Sequence, residues 1–343
     1  MRRAAVFLAR LFIAFCGVWP LGGALVWLLA NGLCLGVLQF LALALACFVV
    51  ALPLPAWVRS LRWQLALALV CFEMLVPAVR WSRASAPELR HCFNWECGTT
   101  GPPWAFLAPE DETAFAGMLL SRWTGVVSAA EASSYGPTMR AGYASTHRLA
   151  NPQLLMSFPG SVHWYYRAPP HAEGTKVPCI VFLHGFGGLL TPYLDAMAQS
   201  PLGERYALAA PVLDDVAPWW TERGGTVIEE TIANLPPEVD RHALFMIGLS
   251  NGSIGGAQYT GWFRAAVLLS GVGDVPRNAH VLVISGTRDA RISPEWVKTS
   301  VEHQREEHAD IAVEWLDGDH FLILSRAKEW TKLAAEFFDR QHE

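Results

Sequence analysis

The stretch "FMIGLSNGSIGG", Phe245 to Gly256, decides the fold. It starts as an apolar run, stops at Gly248-Leu249-Ser250-Asn251-Gly252 and resumes as small residues. Ala243 to Ile247 reads as a buried strand, the pentapeptide as a turn and Ser253 to Tyr259 as a helix. That is the strand–turn–helix setting in which Gly-X-Ser-X-Gly acquires chemical meaning. Glycines flank the serine because a sharp turn crowds the neighbouring backbone, where a Cβ would clash. Gly255 and Gly256 extend the small surface and allow close packing of helix on sheet.

Around this stretch, residues 160 to 343 alternate short apolar runs with helical stretches, the pattern of an α/β domain with a mainly parallel sheet. Strands are predicted at Val162 to Arg167, Cys179 to Leu183, Tyr206 to Ala210, Ala243 to Ile247, Ala265 to Ser270, Val281 to Ser285 and Ile311 to Leu316. Helices are predicted at Pro192 to Ala198, Thr226 to Leu235, Ser253 to Tyr259, Pro294 to Glu307 and Ser325 to Arg340. About 180 residues suffice for one such core.

A serine hydroxyl is a weak nucleophile and needs a base, and the base needs an orienting group. "VLVISGTRDARIS" is a strand followed by a loop carrying Asp289, and "VEWLDGDHFLIL" is a strand followed by a loop carrying His320. Both lie just beyond the C-terminal end of a strand, where ligand sites gather in parallel sheets. Of the 11 histidines, His303 and His308 fall on or at the end of a surface helix, His280 precedes a strand and His171 sits in a Pro-flanked loop. His320 is therefore the expected base. Asp274 rivals Asp289 as orienter, whereas Asp317 and Asp319 stand too close in sequence to His320. The oxyanion of a tetrahedral intermediate also needs donors. "CIVFLHGFGG" ends a strand in His184-Gly185-Phe186-Gly187-Gly188, so that the backbone N–H of Phe186 can point to the same spot as that of Asn251. Gly185 and Gly187 let this loop curl, and His184 is expected to brace it. Neither a following Lys-Ser/Thr nor Gly-X-Gly-X-X-Gly supports a phosphate loop. No cofactor or metal is expected.

These motifs resemble the α/β-hydrolase superfamily over residues 160 to 343. His184 to Gly187 is similar to its oxyanion loop, Gly248 to Gly252 to its nucleophile elbow, and Asp289 and His320 to its acid and base positions. The resemblance implies an eight-stranded-type sheet and acyl transfer to water through an acyl-serine intermediate. It leaves the substrate open, because esterases, lipases, peptidases and thioesterases share the motif. Only "GVGDVPRNAH", Gly271 to His280, stands where many members insert a cap. The pocket is then open, or covered by residues 91 to 155 or by a bilayer surface. Trp219, Trp220, Trp262 and Phe263 are expected near the active face, as walls of an apolar acyl site or as core.

The N-terminal quarter belongs to a different physical regime. The chain is 52% hydrophobic before its 28 glycines are counted, more than an ordinary soluble protein. Residues 1 to 90 hold eight arginines and two acids, a net of +6, which leaves −11 for the remainder of a chain of formal charge −5. From Leu11 to Val58 there is no charged residue or histidine over 48 residues. A continuous helix of that length would run about 72 Å, more than twice a hydrocarbon core of about 30 Å. A break at Asn31-Gly32 gives spans near 8–30 and 33–52, the second ended by Pro53 and Pro55, and a third is expected near 63–79 despite Glu73. Trp57, Trp63 and Trp81 mark the predicted ends. Arg2, Arg3 and Arg10 favour a cytoplasmic N-terminus, which with three spans puts the remainder outside the cytoplasm; a third segment held at the surface reverses that parity.

The expected organisation is a membrane anchor over 1–90, a connector or partial lid over 91–159 with a helix near Glu110 to Trp123, and the catalytic domain over 160–343. Cys92 and Cys97 bracket a short loop that an oxidising compartment would bridge; a zinc site would need more ligands than these and His91. The function expected is that of a membrane-anchored serine hydrolase acting on carboxylic esters, lipid esters among them, with the bilayer as partner and no nucleic acid. An acyltransferase or peptidase on the same triad, and a catalytically inactive binding module, are the alternatives.

Overall fold

The computed structural model describes residues 2–51, 59–83, 90–93, 96–98, 107–145, 163–170, 176–187, 189–213, 218–307 and 309–342. The chain forms two compact units, one of Met1–Ala84 with Pro102–Gly136 and one of Ser85–Gly101 with Pro137–Glu343. The sequence placed the boundaries at 91 and 160. A hairpin over residues 90–98 joins the second unit, and the helix Glu110–Trp123 joins the first.

In the first unit, α1 (Arg2–Asn31) ends at the expected turn, where Gly32 has φ +70° and donates its N–H to Leu28 O at 2.9 Å. This is the left-handed glycine that commonly closes a helix. α2 (Leu35–Ala51) runs back along α1. A Cβ on Gly17 would lie 3.1 Å from Cys47 Cβ, and one on Gly23 would lie 2.8 Å from the Phe40 ring. Small residues at such seams let apolar helices approach closely. α3 (Arg59–Arg83) then packs on α2. Over Phe12–Asn31 and Trp63–Arg80 these helices are long and apolar enough to cross a membrane, whereas α2 is shorter, with 17 residues. Pro53, Pro55 and Trp57, and the side chain of Trp81, lie outside the described residues.

A buried polar cluster joins the ends of these helices to α4 (Glu110–Trp123). Arg80 pairs with Glu112 Oε1 at 2.9 Å and donates to Gln39 Oε1 at 2.8 Å and Leu107 O at 2.7 Å. Trp27 Nε1–H donates to Glu112 Oε2 at 3.1 Å, and Asn31 Nδ2 donates to Glu112 O at 3.2 Å. Gly36 makes room for this meeting, since a Cβ there would stand 2.3 Å from Glu112 Oε2. Both charged partners are thus taken out of water with the two carboxylate oxygens of Glu112 and the two terminal nitrogens of Arg80 engaged, which favours toleration of a buried pair.

The second unit is built on a nine-stranded sheet in the order β2-β1-β3-β5-β4-β6-β7-β8-β9. The strands are β1 (Arg90–Phe93), β2 (Glu96–Gly98), β3 (His163–Arg167), β4 (Val177–Leu183), β5 (Ala207–Val212), β6 (Val239–Leu249), β7 (Ala265–Leu269), β8 (His280–Gly286) and β9 (Asp310–Leu316). From β5 to β9 they pair in parallel, while β3, β1 and β2 are antiparallel at one edge. The seven strands from His163 onward match those predicted to within a few residues. The hairpin β1–β2 takes the sheet beyond the eight-stranded type expected, and it comes from the segment expected to be a connector. Cys92 and Cys97 are Cα partners across that hairpin; their side chains lie outside the described part.

β5 and β7 are buried along their whole length, as befits strands covered on both faces, and so they read in sequence as uninterrupted apolar runs. After β4 the chain crosses to one side to form β5, then returns past β4 to form β6 on the other. Such a reversal opens a crevice at the carboxyl ends of the strands involved. The loop after β4 and the turn after β6 both lie there.

Candidate active site

β6 delivers Ser250 into a backbone conformation that L-residues seldom adopt, with φ 50° and ψ −108°. Such strain costs on the order of 1–3 kcal/mol and persists only where the surroundings enforce it. Here they do. Ser250 N–H donates to Leu269 O of β7 at 2.8 Å, and the chain turns at once into the short helix α9 (Asn251–Gly256). A Cβ on Gly248 would meet Gly252 O at 2.5 Å, and one on Gly252 would meet Leu183 O at 2.1 Å. Both flanking positions therefore exclude any side chain, as the sequence pattern implied.

The structure brings the three expected side chains into one line. Ser250 Oγ lies 3.0 Å from His320 Nε2, and His320 Nδ1 lies 2.8 Å from Asp289 Oδ2. Asp289 is buried, and its other oxygen accepts from Arg291 N at 2.8 Å and Ile292 N at 2.9 Å. Two backbone donors thus hold the carboxylate in place to accept Nδ1–H, which leaves Nε2 with a lone pair toward the serine. The rivals fall away. Asp274 is exposed, Asp317 pairs with Arg288 and Arg326 at the surface, and Asp319 accepts from Phe321 N. His280 pairs with Asp310 and His303 with Glu307, both on exposed faces; His171 and His308 lie outside the described residues.

On the loop after β4, His184 is buried, and burial pushes its pKa down to about 4. Leu213 N–H donates to its Nε2 at 3.0 Å, so the ring carries its proton on Nδ1, which lies 2.8 Å from Gly185 O. A trans peptide is planar, with C=O and N–H opposed. Holding the Gly185 carbonyl therefore aims the N–H of Phe186 the other way. Asn251 opens α9, where an N–H has no carbonyl four residues back within the helix to bind. Gly187 has φ +95°, the left-handed freedom this loop requires.

Sequence reasoning passed over two supporting residues. Ser253 Oγ is buried and lies 2.7 Å from both Gly248 O and Leu269 O, stapling the ends of β6 and β7. Ser270, with φ 53°, lies buried just beyond the end of β7 and donates from Oγ to His320 O at 2.9 Å. Trp219 is fully buried and Phe263 belongs to the core, so neither forms an acyl wall; Trp220 and Trp262 are exposed. The available signal for the serines was their place directly after the elbow and after its neighbouring strand. The helix α5 (Ala129–Ser145) also contributes beside the site. A Cβ on its Gly142 would lie 3.1 Å from Pro192 and 3.9 Å from Leu324, which follows His320 by four residues.

Among known proteins, no family model matches the chain, and no curated protein matches it. Solved structures similar to it include a thermostable esterase, 18% identical with TM-score 0.41 over 53% of this chain and 57% of that one. A carboxylesterase of Bacillus cereus is 18% identical with TM-score 0.39 over 52% of this chain and 93% of that one. An acylaminoacyl peptidase of Pyrococcus horikoshii is 21% identical with TM-score 0.41 over 54% of this chain and 40% of that one. This chain thus spans little more than half of the esterase and less than half of the peptidase. The α/β-hydrolase-type architecture rests on the strand order, the strained turn at Ser250 and the chain order Ser250, Asp289, His320.

Proposed function

We propose that the protein is a membrane-anchored serine hydrolase of carboxylic esters. The observation that carries this is the continuous relay from Ser250 Oγ through His320 to Asp289, at 3.0 and 2.8 Å. In this reading Ser250 Oγ attacks the acyl carbonyl while its proton passes to His320 Nε2, and Asp289 steadies the imidazolium that forms. The backbone N–H groups of Phe186 and Asn251 receive the oxyanion, with His184, Gly185 and Gly187 shaping the loop. The ester C–O bond then breaks as His320 returns the proton to the alcohol. Water, deprotonated by the same ring, releases the acid and restores the serine. No step requires a metal or cofactor.

The membrane part of the proposal is supported by the apolar surface of the helical unit. Phe12, Trp19, Leu25, Leu67, Met74 and Leu75 are among its exposed large side chains, more apolar surface than soluble proteins leave uncovered. α2, at 17 residues or about 26 Å, serves as the middle of three crossings. What supports three is the polar cluster: Asn31 at the end of α1 and Arg80 near the end of α3 both bind Glu112. The exit of α3 thus lies at the same end of the bundle as the α1–α2 turn, opposite the arginine-rich N-terminus. In this reading, with a cytoplasmic N-terminus, the catalytic unit is extracytoplasmic. Lipid esters fit that setting.

Labelling the full chain in detergent with a fluorophosphonate tests the chemistry. The label is expected on Ser250 and absent from Ser250→Ala; no label on folded wild-type protein sinks the proposal. A panel of acyl esters of graded chain length, assayed with water and with alcohol acceptors, then separates hydrolase from transferase. Accessibility of a cysteine introduced near the C-terminus to an impermeant reagent tests the side.

A further inference from the structure

Trp219 touches both segments that carry the proposed oxyanion donors. Its Nε1–H donates to His184 O at 2.9 Å, and its backbone N–H to Asn251 Oδ1 at 3.4 Å. Its ring stands edge-on to the His184 imidazole, with centroids 5.2 Å apart at 68°. The side chain is fully buried, and so is its bond to the His184 carbonyl. The surroundings are cut to fit it. A Cβ on Gly255 would lie 2.7 Å from Trp219 Cβ and 2.6 Å from Trp220 N, and one on Gly224 would lie 2.2 Å from Trp219 O. The segment is pinned beyond the tryptophan as well. Thr221 caps the helix α8 (Glu222–Ala233) by accepting from Gly224 N, and Tyr259 Oη donates to Thr221 O at 3.3 Å.

A core tryptophan that merely filled space would not need its N–H on the carbonyl of the oxyanion loop and its backbone on the side chain after the nucleophile. We propose that Trp219 is a positioning residue that sets the spacing between the N–H of Phe186 and the N–H of Asn251. It acts through the His184 carbonyl on one side and the Asn251 amide on the other. The proposal rests on the serine-hydrolase reading above. Because the oxyanion exists only after Oγ has bonded to the carbonyl carbon, a change in that spacing acts on the transition state and not on bound substrate.

The test uses the full chain in detergent. Trp219→Phe keeps an aromatic ring, smaller than the indole, and removes the indole N–H; Gly255→Ala keeps the tryptophan and displaces it from the other side. A trifluoromethyl ketone bearing the acyl chain of the best ester reports on the oxyanion site directly, since Ser250 adds to it to form a tetrahedral hemiketal. Removing an oxyanion donor outright costs about 10²–10³-fold, and misplacing one that is retained is expected to cost about tenfold. In both variants kcat and affinity for the ketone should fall by the same factor, with KM and the number of Ser250 sites titrated by fluorophosphonate unchanged. If Trp219→Phe does not fold, Gly255→Ala alone decides. Retention of kcat and ketone affinity within about twofold, or a rise in KM alone, overturns the proposal. Failure of the hydrolase reading is distinguishable, because Ser250 of the unaltered protein would then take no label.

Discussion

Ser270 joins two opposed effects that substitution can separate. Its Oγ is the donor to the backbone carbonyl of His320, at 2.9 Å, and its φ of 53° places it in left-handed backbone. Replacing it with alanine leaves the strain and removes the hydroxyl, stranding a buried carbonyl at a cost of about 1–3 kcal/mol. Replacing it with glycine removes the same hydroxyl but relieves about 1–2 kcal/mol of left-handed strain. The freer unfolded chain takes back about 0.4–1 kcal/mol of that. Ser270→Ala should therefore cost about 2 kcal/mol and Ser270→Gly about 1 kcal/mol. For a unit of this size each kcal/mol moves the melting point by about 2–4 °C, so the two variants should melt about 6 and 3 °C below the wild type. Activity should not follow stability. Both variants release the same carbonyl behind His320, and a misplacement of about 1 Å at a catalytic group can cost about 10²-fold; an equal fall in kcat, between about tenfold and a hundredfold, is expected. Thermal unfolding followed by tryptophan fluorescence, paired with ester hydrolysis, gives both readings. If the glycine variant is the less stable, or either variant keeps its full kcat, the assignment of Ser270 is wrong.

Asp289→Asn offers His320 an amide in place of the acceptor for Nδ1–H and should lower kcat by about 10⁴-fold, with KM little changed in the same assay. His184 has its pKa lowered from 6.5 to about 4 by burial, so the unfolded chain binds the extra proton between those values. Stability should fall as pH drops through that window, by on the order of 3 kcal/mol in all; melting points over a pH series check this, and His184→Gln should flatten the slope. Arg80→Leu strands Glu112 in the helical unit at a cost of about 3–5 kcal/mol, most of it recovered by adding Glu112→Leu, as detergent unfolding would show. Cys92 and Cys97 are Cα partners across a hairpin, and in an extracytoplasmic unit both should resist alkylation until reduced, which peptide mass mapping reads directly.

The parts of this protein that were legible in the sequence are those where local chemistry and the fold agree. The buried strands announce themselves as apolar runs, and the elbow as glycines whose Cβ atoms have no room. Asp289 and His320 stand in loops just past strand ends. Three things escaped. The hairpin at 90–98 is short and mixed in composition, and it becomes strand only by pairing with β3 across about 70 residues of chain. Ser270 sits just past its strand with nothing in its neighbours to mark a positive φ. The helix Glu110–Trp123 reads as part of a connector or partial lid, and only the distant Arg80 reveals why an acid is buried in its first turn.

That last pair has a consequence for how the chain is made. Arg80 precedes Glu112 by 32 residues, and at about 5–20 residues per second of synthesis the guanidinium waits about 2–6 s for its carboxylate. Gln39, which accepts from it, and Glu73, which accepts from Gln39, are already made through that interval. The apolar hairpin and its third helix are therefore complete before the charge that fastens them is made. α4 is a latch made last: the interval before it can close is written into the spacing of two charges along the chain.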